Sequence, residues 1–169
     1  IQVAAEEGIL RAVSSDTSLG VKQYCIMYNS QWMPIPKSLN SATKYQLKDL
    51  TNTNLCNSTD VPPEGIKDNL VVVKRGNCTF IRKAQIAQKN FAKALLVASV
   101  DSIFPPSDNE SDYQKLTIPV ALILYDDVLS MKKVNLSSVP DCNKAERVQL
   151  TTCEIKCLVF YLKGWLIPP

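Results

Sequence analysis

The sequence predicts an α+β domain organised around a central strand–turn–helix–strand unit, and three observations carry that expectation. Within residues 70–99, LVVVKRGNCTFIRKAQIAQKNFAKALLVAS, Val71, Val72 and Val73 form a short β-branched apolar run that ends at Arg75 and Gly76. Phe80, Ala84, Ala87 and Phe91 then recur at spacings of four, three and four, which aligns them on one helical face. Two more apolar runs, one opening at Ala94 and one reading VALIL from Val120, have the length of buried strands.

Taken in order, residues 7–13 and 21–27 read as neighbouring strands, separated by Ser14-Ser15-Asp16 and by Gly20. Residues 31–42, with Trp32, Pro34 and Pro36, are expected to be irregular, and Trp32 is expected to plug the core rather than serve as a ligand platform. Residues 45–48 alternate as a half-buried strand, and Asp60-Val61-Pro62-Pro63-Glu64-Gly65 forms a rigid turn before the central strand. Gly76 can take a positive φ without steric cost, after which Asn77 or Thr79 can cap the helix. Arg82, Lys83, Gln85, Gln88 and Lys89 fall on its wet side, and Asn90 suits the left-handed exit. Residues 101–116 make a long polar loop, a length that in a compact domain signals function or mobility. Residues 118–124 supply the next strand, and Asp126 is expected to cap a short helix over residues 127–134.

Beyond that point the pattern weakens. Residues 147–152 alternate as a possible closing strand, and residues 157–162 are apolar but too short to span a bilayer. The expected division is a domain over 1–138 and a possible closing strand with a divergent tail over 139–169.

Composition narrows the function classes. Nineteen basic against sixteen acidic residues give a net charge of +3 without a block of like charge, which argues against a nucleic-acid partner. No apolar run approaches the ~18 residues of a membrane-spanning helix, so this segment reads as soluble. Asn57, Asn77, Asn109 and Asn135 each open an N-x-[ST] glycosylation acceptor beside a turn or loop. Six cysteines and no histidine fit an oxidising compartment and disulfides better than a metal site. Val3-Ala4-Ala5 either lies near a signal-peptidase cut or simply starts a strand.

The Arg75-Gly76-x-Cys78-x-Phe80 turn, the Lys- and Ala-bearing helix, the returning ALLV strand, Ile118-Pro119-Val120 and Tyr125-Asp126-Asp127 together resemble the protease-associated domain. Tyr24 to Asn29, Gln31-Trp32, the segment LTNTNLCNSTDVPPEGIK and Phe104-Pro105-Pro106-Ser107 narrow the resemblance to the luminal domain of signal peptide peptidase-like proteins, in their second subfamily. The resemblance spans roughly residues 8–136. It implies an open β-barrel or sandwich-like sheet flanked by short helices. It also implies pairing of Cys56 with Cys78, which flank the central strand, and such a bond would contribute on the order of 3 kcal/mol. Cys25, Cys142, Cys153 and Cys157 are not assigned by it. One departure is visible: Asn90-Phe91 stands where the family usually has Gly-Gly, which makes the helix exit less free.

The sequence holds few candidates for catalysis. Without histidine there is no Ser-His or Cys-His pair, and Tyr125-Asp126 matches the intramembrane aspartyl protease motif only as letters, since no Gly-x-Gly-Asp partner is present. The Cys153-x-x-x-Cys157 pair suits a structural disulfide or tail pairing better than thiol chemistry. The domain is therefore expected to be non-catalytic, without cofactor or metal. The resemblance implies partners among protein substrates or membrane-protein ectodomains, a membrane-embedded parent chain, and residence on the luminal or extracellular side of the secretory-endosomal system, at late endosome or lysosome membranes. The same domain also occurs in membrane-anchored ubiquitin ligases and sorting receptors, and a secreted stand-alone form is a further alternative. The candidate interaction surface is the loop carrying Phe104, Pro105, Pro106 and Ser107, with the turn at residues 62–65.

Overall fold

The apolar runs become the strands of one mixed sheet. The computed structural model describes residues 7–13, 21–33, 35–36, 41–108, 111–132 and 159–163. Seven strands appear among them: β1 (Glu7–Val13), β2 (Val21–Tyr28), β3 (Lys44–Leu50), β4 (Asn69–Lys74), β5 (Ala94–Ser99), β6 (Val120–Leu124) and β7 (Val159–Lys163). Their order around the sheet is β1-β2-β6-β5-β4-β3-β7, and a parallel pairing of β7 with β1 closes it into a barrel. Strands β3 to β6 run parallel to their sheet neighbours within that group, while β2 pairs antiparallel with both β1 and β6.

Parallel strands need long crossovers, and two of the three between consecutive parallel strands, β4 to β5 and β5 to β6, are of different kinds. Helix α1 (Phe80–Lys89) carries β4 to β5, whereas the connection from β5 to β6 is the long loop, relieved among its described residues by a 3₁₀ turn at Ser111–Lys115. Helix α2 (Tyr125–Lys132) follows β6 directly. Its start at Tyr125 corrects the expected boundary: Asp126 is not the cap but lies with Asp127 in the first turn, where carboxylates suit the positive end of the helix dipole.

The central strands are buried on both faces, as continuous apolar runs in parallel sheets are. Val71, Val73, Leu95, Val97, Val120 and Leu122 pack with Ile81, Ala84 and Ala87 of α1 and with Trp32, the plug expected from its sequence context. Leu70, Val72, Leu96, Ala98, Ala121 and Ile123 face the other way, toward Leu10, Tyr24 and Ile26 of β1 and β2 and toward Val128 and Met131 of α2. Each fully buried Val or Leu contributes about 1.5–3 kcal/mol, so this double-sided slab is the main source of stability.

The exit of α1 differs from the expected one. Asn90 has φ −98°, and the left-handed position falls on Phe91, at φ 63°. Phe91 is therefore not on the buried face; it is 68% exposed, and Ile81 and Ile86 do the packing in its place. The second residue of the Asn90-Phe91 pair is thus the one that takes the glycine-like conformation. The expected closing strand at residues 147–152 lies outside the described residues; the strand that completes the ring is Val159–Lys163.

Candidate functional site

Three places concentrate polar chemistry: the start of α1, the loop that crosses it, and the seam between β2 and α2. At the first, Gly76 (φ 109°) and Asn77 (φ 67°) reverse the chain after β4, and Thr79 accepts a hydrogen bond from the Arg82 amide as N-cap. Cys78 lies just before the cap and is disulfide-bonded to Cys56, with Cα atoms 5.8 Å apart. The pairing implied by resemblance is the one the structure shows.

Beneath that disulfide lies Lys83. It was expected on the wet side of the helix, yet it is 0% exposed, because a residue three after Phe80 and four before Ala87 shares their face. Its ammonium donates to the Asn54 carbonyl at 2.5 Å and the Gly76 carbonyl at 2.7 Å, and lies 3.7 Å from Cys56 Sγ. Burial pulls its pKa down to about 8, opposed by the Asp60 carboxylate. Two charge-assisted hydrogen bonds favour the ammonium, so at neutral and acidic pH Lys83 is a buried cation joining two turns. Asp60 in turn accepts from the Cys56 and Asn57 amides at 2.8 and 3.0 Å.

The crossing loop is anchored along its length. Phe104 packs edge-on to Phe80 with ring centroids 6.2 Å apart, and the Arg75 guanidinium lies 4.7 Å from the Phe104 ring centroid. Asn29 donates to the Pro106 carbonyl at 2.9 Å, and Asp108 accepts the Ile81 amide at 2.7 Å, adding a second side-chain acceptor to the start of α1. Gln88 fixes the far end through the Lys115 carbonyl and the Thr117 amide. Of the four singled-out loop residues, Phe104 and Pro105 are half-buried, Pro106 is buried and Ser107 is exposed. Val100 and Asp101, at the loop's start, are also exposed, Val100 by 68%. The turn at residues 62–65 is tied instead to β3, through a Lys48–Glu64 ion pair.

At the third place Lys22, 6% exposed, donates to the Ser130 hydroxyl and lies 5.7 Å from the Tyr24 ring centroid. Burial pushes the Tyr24 hydroxyl up to about 12. Asp127 is raised to about 6, first by burial and then by the neighbouring Asp126 charge, against the pull of Lys22. Among the described residues no group of three or more Cys, Asp or Glu side chains is arranged to hold a metal.

Two of the four glycosylation acceptors fall within the described residues. Asn57 and Asn77 are both exposed, and Asn77 Nδ2 donates to Asn54 Oδ1 at 2.9 Å. Asn109 and Asn135 lie outside the described residues. Sequence reasoning missed Lys83, Lys22, Asp108 and Asp127. Only Lys83 left a signal, its helical phase; the others meet their partners across long sequence separations.

Comparison with known proteins agrees with this architecture. A family model described as the PA domain matches residues 43–131. Human signal peptide peptidase-like 2A is 45% identical over 130 residues, covering 77% of this chain and 24% of that protein. Chicken signal peptide peptidase-like 2B is 42% identical over 132 residues, covering 78% of this chain and 22% of that protein. The chain thus spans about a quarter of the length of these relatives. Among solved structures, a zinc aminopeptidase from Bacillus subtilis superposes with a TM-score of 0.55 at 17% identity, covering 79% of this chain and 30% of that one, a likeness of fold alone. The chain belongs to the PA domain family and resembles the PA-containing portion of signal peptide peptidase-like 2A and 2B.

Proposed function

We propose that this chain is the non-catalytic, luminal or extracellular interaction domain of a signal peptide peptidase-like intramembrane aspartyl protease, and that it engages protein substrates or membrane-protein ectodomains. The observation that carries the reading is the crossing loop. A long connection, with one 3₁₀ turn among its described residues, is held on both flanks by hydrogen bonds, yet presents Val100, Asp101 and Ser107 to solvent. Loops positioned by a rigid scaffold are where binding residues concentrate, and a fixed loop loses little entropy on contact.

The absence of histidine supports a non-catalytic role, since the common nucleophile–base pairs need that side chain. Catalysis in the parent then resides in segments outside this domain. No helix among the described residues is long and apolar enough to cross a membrane. The same reading places the domain on the lumenal side of late endosomes or lysosomes, with glycans at Asn57, Asn77, Asn109 and Asn135. At Asn77, attachment through Nδ2 leaves one N–H for its bond to Asn54.

The test is a photo-crosslinking amino acid placed at position 100 or 107, with exposed Gln46 on β3 as the control position. The proposal expects adducts with membrane-protein ectodomains from the two loop positions and none from the control. Equal adducts from all three positions would remove the loop as the binding surface.

A further inference from the structure

We infer that the Cys56–Cys78 disulfide is an exchange site for small aliphatic thiols, directed so that the incoming thiol bonds to Cys78 and Cys56 departs. This goes beyond the interaction role and does not depend on it. The asymmetry comes from Lys83. Its ammonium lies 3.7 Å from Cys56 Sγ, no such contact is made to Cys78 among the described residues, and the side chain is 0% exposed. Two carbonyls hold that ammonium in place, at 2.5 and 2.7 Å. The same carbonyls, of Asn54 and Gly76, lie 3.8 and 3.7 Å from Cys56 Sγ, so their lone pairs are engaged by the lysine rather than turned against a negative sulfur.

The other charged groups facing Cys56 are Arg82, whose Nε donates to the Cys56 carbonyl at 3.4 Å, and Asp60, which accepts from the Cys56 amide at 2.8 Å. Arg82 adds to the positive field and Asp60 offsets part of it. The ammonium is 3.7 Å from the sulfur, and a thiolate beside it is the better leaving group. Both cysteines are half-buried rather than sealed, which leaves an approach to Cys78.

A thiolate, its proton given to solvent, attacks Cys78 Sγ and forms a new S–S bond. The Cys56–Cys78 bond breaks, and its electron pair leaves on Cys56 Sγ, beside the Lys83 ammonium. A second thiol attacks the mixed disulfide, so two thiols are oxidised to one disulfide while the protein pair gains two electrons.

An opposite charge at this range lowers a thiol pKa by about 1–3 units, and a lower-pKa thiolate leaves faster, so the preference is expected to be several-fold or more. To test it, the oxidised protein is exposed to limiting glutathione under native conditions, quenched in acid, labelled with N-ethylmaleimide and peptide-mapped. Glutathione on Cys78 with the label on Cys56, in that excess, is the expected result. Glutathione mainly on Cys56, an even split, or no reaction until denaturant unfolds the chain would each overturn the inference. Lys83→Met should abolish the preference and Lys83→Arg retain it; a folded Lys83→Met protein with the preference intact would also overturn it. If Lys83→Met does not fold, the wild-type map decides alone.

Discussion

Lys83 on α1 and Lys22 on β2 are both buried, yet the first is tied to backbone carbonyls and the second to side chains. The Lys83 partners, Asn54 and Gly76, cannot change protonation and belong to turns whose positions the ammonium fixes. Lys22 sits instead among Ser130, Tyr24 and Asp127, where one partner titrates near the acidity of an endosome. Rigidity and pH response are thus placed in different parts of the fold. The start of α1 is insensitive to mild acid, and the β2–α2 seam responds to it.

The sharpest way to break this contrast is Lys83→Met. It removes two hydrogen bonds from a charged donor to part-buried carbonyls, each worth roughly 1.5–3 kcal/mol, and should cost about 4 kcal/mol in denaturant unfolding. Replacing Cys56 and Cys78 together with Ser, which opens a link of sequence separation 22, should cost about 3 kcal/mol in the same measurement.

At the seam the expected response runs with pH. The Asp127 carboxyl is raised from 3.8 to about 6 on folding, so the folded state binds its proton more tightly. Its stabilising contribution is complete below about pH 4 and is lost as pH rises through 6. Melting curves should therefore show a gain of about 1–2 kcal/mol on acidification across that window, after allowance for partial solvent contact. Asp127→Asn should flatten this slope. Lys83 has the opposite position on the pH axis: its pKa falls from 10.5 to about 8, so stability rises with pH only between those two values and Lys83 adds no slope across the acidic window. The smallest effect is expected at Phe91, where Gly would relieve a left-handed backbone and sacrifice little packing, for a net gain of about 0.5 kcal/mol.

The parts of the fold that were legible in the sequence are those set by local periodicity. The Val71 to Val73 run, the reversal at Gly76, the Thr79 cap and the ALLV and VALIL strands each follow from spacing and turn chemistry over fewer than ten residues. What failed was set by contacts at long range or by competition within one helical face. Lys83 looked solvated because lysine usually is, and only the carbonyls of two distant turns make its burial tolerable. The α1 exit misled because Asn90 is the better left-handed residue in isolation. The chain nevertheless makes its turn one residue later, where the Ala92 amide reaches the Ala87 carbonyl at 3.0 Å and the Asp68 amide reaches the Phe91 carbonyl at 2.9 Å. The interaction loop was visible as a length and a composition, but not the fact that Phe104 and Pro106 hold it down while Val100, Asp101 and Ser107 face outward.

If the start of α1 holds and the crossing loop binds, a paired measurement on Val100→Asp/Ser107→Arg separates the two roles. Melting temperature and capture of membrane-protein ectodomains are read on the same preparation. The expected result is an unchanged melting temperature with capture lost; capture retained at wild-type strength by a fully folded variant would overturn the division.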